Sequence, residues 1–229
     1  MRRAVPAIAL AAAAAFAFLA SSGLGGPSSQ VAWTVETLKL VHGGDPVKGK
    51  KLHEDCAQCH GDAGNTDIPD VPDLGGQDRL YTYKQILDYK GGSRANSIMN
   101  ESVKSLSEKD AADLAAFYAA QKPFRAAAPQ KASSAAAIRM ATIGDGARLI
   151  PACDSCHFDR GSRNPGYYGL PVLQDQKFQD IVVQLTGYRS GERGNDVYRV
   201  MREIAKNLTD DEIAALAAYY SGTLAKPAK

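Results

Sequence analysis

The chain has 229 residues, with 27 Lys and Arg against 25 Asp and Glu, for a formal charge of +2. Setting aside Arg2 and Arg3 leaves 25 basic residues against the same 25 acidic ones, so no basic excess argues for a nucleic-acid partner. The length suits one or two domains. All four cysteines fall in two C-x-x-C pairs.

The N-terminus reads as an export segment. Arg2 and Arg3 precede an uncharged apolar run over residues 4–20, followed by the small residues Ser21, Ser22 and Gly23. Two readings stand: a signal peptide over 1–22, cut after Ser22, or an uncleaved membrane anchor. The run is short and alanine-rich against the ~20 strongly apolar residues of a spanning helix, which favours cleavage. Either way the folded part ends up outside the cytoplasm. Residues 23–42 form an extension that is linker-like at first, then patterned for a short helix over 31–42 carrying Trp33, read as a packing residue.

A first domain is expected over 43–122. Asp45 as N-cap with Pro46 behind it starts a helix that runs towards Cys56-Ala57-Gln58-Cys59-His60. A Gly-, Pro- and Asn-rich loop over 61–71 follows and ends in Pro72-Asp73-Leu74 and Gln77. An amphipathic segment over 80–89 comes next, and Leu106-Ser107 announces a terminal helix over 111–121. Residues 123–142 read as an interdomain linker from Pro123, Pro129 and an Ala/Ser run. A second domain over 143–225 repeats the order. The stretch 144–150 stands in for the first helix, then come Cys153-Asp154-Ser155-Cys156-His157, Pro171-Val172-Leu173, Gln176, a segment over 178–188, and a last helix over 213–220 behind the capping pair Thr209 and Glu212. The offset between copies is 97 residues at the cysteines, 99 at the prolines and 102 at Met99 and Met201, so the chain is an internal duplication with small insertions. Strand signals are nearly absent, and the fold class is all-α.

In C-x-x-C-H the two thiols form thioethers to a haem, and the adjoining histidine ligates the iron. Disulfides are disfavoured because each pair is followed directly by His. A zinc site is disfavoured because the pairs lie 97 residues apart, against the ~15–20 of a zinc ribbon. Two covalently bound haem c groups are therefore expected, on Cys56 and Cys59 and on Cys153 and Cys156, with His60 and His157 as proximal ligands. Met99 and Met201 each stand seven residues before the matched Leu106 and Leu208, and are the candidate distal ligands. His42 and His53 have no counterparts in the other half and read as surface or packing residues. Two filled axial positions leave no place for a substrate, which points to electron transfer rather than peroxidase or oxidase chemistry. Pro72 and Pro171 either set carbonyls against the proximal imidazoles or simply turn the loop. Arg94 and Arg193, matched across the repeat, either pair with haem propionates or are solvated. Tyr89 and Tyr188 read as packing against a haem edge.

The run Gly44-Asp45-Pro46, Gly49-Lys50, Cys56-Ala57-Gln58-Cys59-His60-Gly61, Pro72-x-Leu74-x-Gly76-Gln77, Met99 and Leu106-Ser107 resembles the first domain of the cytochrome c4 family. Ile150-Pro151-Ala152 before Cys153, Pro171-x-Leu173 and Met201-Arg202-x-Ile204-Ala205 resemble its second domain, and the likeness spans about residues 43–222. It departs at Gln174-Asp175, where the family has a Gly before the Gln, and at Phe158, where it has Gly. The resemblance implies two tandem class I cytochrome c domains, each wrapped around one haem and facing the other in pseudo-twofold fashion. It also implies a periplasmic carrier taking electrons from a cytochrome bc complex or dehydrogenase towards a terminal oxidase. Cytochrome subunits of periplasmic sulfur-compound dehydrogenases, of the flavocytochrome c sulfide dehydrogenase or thiosulfate dehydrogenase type, share this layout and supply the alternative.

Overall fold

The computed structural model describes residues 29–123, 134–157 and 169–222; the export segment over 1–22, most of the turn-rich loop expected from the sequence over 158–170 and the end of the second domain lie outside them. Ten α-helices occur among the described residues: α1 (Val35–His42), α2 (Pro46–His53), α3 (Ala57–His60), α4 (Arg79–Lys90), α5 (Ser97–Val103), α6 (Glu108–Ala120), α7 (Ala135–Thr142), α8 (Phe178–Ser190), α9 (Val200–Ala205) and α10 (Asp210–Ser221). The sole strands described are β1 (Gly144–Asp145) and β2 (Ile150–Pro151), an antiparallel pair with Asp145 opposite Ile150. No described helix is long and apolar enough to cross a membrane.

Local chemistry accounts for the helix starts. Asp45 caps α2 by accepting from the Val47 and Lys48 amides, with Pro46 in the first turn, where its missing N–H costs nothing. Both terminal helices carry full capping boxes, Ser107 with Asp110 and Thr209 with Glu212. The Ser107 hydroxyl and amide hold the Asp110 carboxyl below its ordinary pKa, and the Arg148 guanidinium, followed by the Thr209 amide, does the same for Glu212. Arg148 adds a fork onto Glu212 at 3.0 and 2.6 Å, tying the start of α10 to the 3₁₀ turn Gly146–Arg148.

Each half is organised by its first and last helices. In the first, α2 crosses α6 so closely that a Cβ on Gly49 would run into the Asp113 carbonyl and the Cβ of Phe117. Overpacking of that kind costs about 1–3 kcal/mol, which is why glycine stands there. Buried Asp113 closes the same crossing, accepting from the Asp45 amide at 2.6 Å and pairing with Lys109. The first core gathers Val41, Leu80, Tyr83, Leu114, Phe117 and Tyr118, while the second gathers Ala137, Met140, Ile150, Ile181, Ile213, Leu216 and Tyr220.

Two sequence expectations change. The stretch 144–150 was expected to be the helix ahead of the second C-x-x-C-H, and it is instead the β1–turn–β2 hairpin. Gly144 stands at φ +80°, and a Cβ there would strike the Ile150 carbonyl, so the chain reverses where a helix would have to continue. The helix that packs against α10, as α2 packs against α6, is α7, inside the stretch read as linker. Its Ser134 cap accepts from the Ala137 amide, and Ala137, Met140 and Ala141 are buried. Met140, read as a linker residue, is core. The extension over 31–42 contributes α1, and Trp33 lies just before it, its ring 6.4 Å from that of Tyr83.

Candidate functional site

Each half assembles the same donor set on a different local scaffold. In the first, α3 carries Cys59 and His60, with Cys56 immediately before it. In the second, a 3₁₀ turn over Cys153–Ser155 leads into Cys156 and His157. All four thiols are free, so no disulfide joins them. Burial raises the Cys56 thiol pKa and pushes that of Cys153 up to about 11.

His60 and His157 are buried, 6% and 7% exposed, and burial lowers the pKa of both imidazoles. His60 Nδ1 lies 3.1 Å from the Pro72 carbonyl, and His157 Nδ1 lies 3.0 Å from that of Pro171. A carbonyl accepts only, so each Nδ1 carries the proton and each Nε2 is left as the free electron pair. That neutral, single-tautomer imidazole is the form that ligates a metal. The donor set of each half is thus two unpaired thiols and one oriented imidazole, and it fits a covalently held haem. Among the described residues no group of three His, Cys, Asp or Glu converges on a metal-sized point, as a closed zinc site would require.

Met99 sits in the first turn of α5, its amide donating to the Asn96 cap at 3.0 Å, and its half-buried side chain packs on the first core with Cys56 and Leu74. Met201 is half-buried on α9, which packs on α8, while Cys153 and Leu173 pack against the second core. The short helices that carry both methionines have no strong sequence signal. Two residues in left-handed conformation, Tyr198 and Arg199, precede α9.

Arg94 and Arg193 are not simply solvated. The Arg94 guanidinium lies 4.6 Å over the Tyr89 ring and donates to Gln85 at 2.8 Å in its own half and to Gln184 at 2.9 Å in the other. Arg193 lies 4.5 Å over Tyr188 and donates to Asn195 at 3.0 Å, to Gln184, and across to Tyr81 at 3.2 Å and Gln85 at 3.3 Å. Buried Asn195 of the second half donates to Gln85 at 2.9 Å and to Asp88 at 2.7 Å, and its carbonyl accepts from Lys84 at 2.7 Å. Lys84 and Asp88 form a buried ion pair within this network. Such a pair is costly to desolvate unless its remaining bonds are made; Asn195 makes two of them from the opposite half, and the Ser29 hydroxyl donates to Asp88 at 2.6 Å.

A second polar junction joins the two proline loops. Gln77 of the first half bonds the backbone at Val172, and Gln176 of the second bonds the backbone at Asp73. Lys177, also buried, donates to the Ile68 and Val71 carbonyls at 2.7 and 2.6 Å. The turn itself keeps its shape despite the departure at Gln174-Asp175. Gly76 at φ +73° donates its amide to the Tyr118 carbonyl, and Asp175 at φ 64° donates its own to the equivalent Tyr220 carbonyl. Aspartate is among the few residues other than glycine that tolerate this conformation.

Gln77 and Gln176 recur at the same 99-residue offset in the sequence, as do Gln85 and Gln184, but nothing there shows a partner for any of them. Their recurrence at a constant offset was the one available signal. His53, expected at the surface or in packing, is buried between the Tyr118 hydroxyl at 2.9 Å and the Asp62 carbonyl at 3.0 Å. Its counterpart contact in the second half is Tyr220 to Asp154 at 2.7 Å.

The family model described as "Cytochrome c" matches residues 46–120. Cytochrome c4 of Azotobacter vinelandii is 36% identical over 197 residues, covering 80% of this chain and 91% of that protein. A "thiosulfate dehydrogenase electron acceptor" of Stutzerimonas stutzeri (strain A1501) is 34% identical, over 72% of this chain and 77% of its own length. The crystal structure of reduced recombinant cytochrome c4 from Pseudomonas stutzeri superposes with a TM-score of 0.72 at 32% identity, over 79% of this chain and 99% of that one.

Proposed function

Because the chain belongs to the cytochrome c4 family, di-haem electron-transfer cytochromes, we propose that it is a free carrier working outside the cytoplasm, in the periplasm. It is an electron-transfer protein and not an enzyme, and its cofactors are two covalently bound haem c groups. Bound haem supplies a one-electron redox centre in each half. We assign Cys56, Cys59, Cys153 and Cys156 to the thioethers, His60 and His157 to the proximal positions, Met99 and Met201 to the distal ones, and Arg94 and Arg193 to the propionates. The first domain then ends near residue 122, and the second takes in α7.

The observation that carries this reading is the doubled donor set, in which each buried imidazole spends its Nδ1 proton on a proline carbonyl. Burial keeps water from the imidazoles, and the carbonyl holds one tautomer and one ring orientation, which lowers the rearrangement needed when charge at the site changes. The buried network through Arg94, Arg193, Gln85, Gln184 and Asn195 keeps the halves in register, so the two centres keep one separation. Redox-protein partners follow from the family. We assign the donor to a cytochrome bc complex or dehydrogenase and the acceptor to a terminal oxidase, with the N-terminal segment as leader or tether.

A second reading, the cytochrome subunit of a sulfur-compound dehydrogenase, is favoured by the 34% identical relative named as a thiosulfate dehydrogenase electron acceptor. Purification of the native protein under mild conditions separates the two. A free carrier is expected to elute alone and to be reduced by a membrane quinol-oxidising fraction, whereas a stoichiometric flavoprotein or other catalytic subunit co-eluting with it would sink the free-carrier reading.

A further inference from the structure

We propose that Gln77 and Gln176 are crossed positioning residues, each setting the hydrogen bond on the proximal histidine of the opposite half. The inference rests on the reading of His60 and His157 as axial ligands.

The peptide group between Pro72 and Asp73 is engaged at both ends. Its carbonyl accepts from His60 Nδ1 at 3.1 Å, and its N–H donates to Gln176 Oε1 at 3.1 Å. Gln176 Nε2 closes the clamp by donating to the Asp73 carbonyl at 2.9 Å. The mirror arrangement holds in the other half. The Pro171 carbonyl accepts from His157 Nδ1 at 3.0 Å, the Val172 N–H donates to Gln77 Oε1 at 2.7 Å, and Gln77 Nε2 donates to the Val172 carbonyl at 3.1 Å. Both glutamine side chains are buried.

Hydrogen bonds arranged in series through an amide polarise one another, more so away from water. An N–H that donates to a buried oxygen makes the carbonyl of the same peptide a better acceptor. A stronger bond to that carbonyl leaves more electron density on the imidazole and makes it a more basic ligand. A more basic ligand favours the oxidised iron, so each glutamine holds down the reduction potential of the half to which it does not belong. If the glutamines served only to hold the halves together, their loss would act on both halves alike.

The test is Gln176→Met, which keeps the length of the side chain and removes its polar end, in the full-length protein carrying both haems. Spectroelectrochemical titration resolves the two potentials, each wave assigned to its half from single Met99→His and Met201→His variants. The first-half potential is expected to rise while the second stays in place, and ¹⁵N-resolved exchange of the His60 Nδ1 proton is expected to quicken while that of His157 does not. Gln77→Met should give the mirror result, and it carries the test if Gln176→Met does not fold. Potentials that stay put, or that shift together, overturn the proposal. When the unsubstituted protein shows the His/Met low-spin signature, such a result sinks the positioning role and leaves the ligand reading intact. A parent protein without that signature fails at the ligands instead.

Discussion

A Cys56→Ala/Cys59→Ala double variant is expected to lose one of the two covalent haems, read as a mass deficit of one haem, and to lose the fold of its first half. Both thiols of that half are free, and Cys56 packs half-buried on the first core beside Leu52, Leu74 and Met99. A half of this size draws at most about 3–5 kcal/mol from a single apolar core. Removing the covalent hold on the group at its centre takes away stabilisation of the same order. The loss should register as reduced far-UV helicity and a new low-temperature unfolding step. The Cys153→Ala/Cys156→Ala variant should do the same to the second half. Retention of two covalent haems by either double variant would contradict the assignment of the thiols.

The second large effect is on potential. Met99→His is expected to lower the reduction potential of the first half, and Met201→His that of the second, each leaving the other centre nearly unmoved. A thioether is a soft ligand that favours the reduced iron, and a second imidazole removes that preference. Axial ligands span about 0.8 V across haem proteins, so a shift on the order of 0.1 V or more is expected from this exchange. Titration with optical detection reads it directly. A variant whose two potentials match those of the parent would show that the methionine is not a ligand.

Much of this was legible in the sequence because it is local or repeated. The helix starts at Asp45, Ser107 and Thr209 announce themselves through capping residues, and the structure has all three as N-caps. The two C-x-x-C-H motifs and the Pro-x-Leu loops recur at nearly constant offset. What escaped depended on partners distant in sequence or on competition between local preferences. The Ala/Ser run reads as linker from its prolines and small residues, and it is helix because Met140 and Ala137 have the second core and α10 to pack against. The stretch 144–150 reads as a counterpart of the first helix, yet the positive φ of Gly144 turns the chain back on itself. The roles of Arg94, Arg193 and the four matched glutamines were hidden because their bonds cross between halves, over separations of 90 to 112 residues. A duplicated sequence shows which positions are equivalent, but it does not show that equivalent positions hold each other.

The central claim is that both irons are closed by a histidine and a methionine, so that the protein carries electrons and leaves no place for a substrate to coordinate. The most direct measurement is an anaerobic redox titration of the purified di-haem protein, followed from the visible into the near infrared. Uptake of one electron per half is expected, with low-spin spectra throughout and the weak near-infrared methionine–iron band in the oxidised form of both centres. A high-spin fraction at either centre, or a methionine band accounting for only one of the two irons, would contradict it.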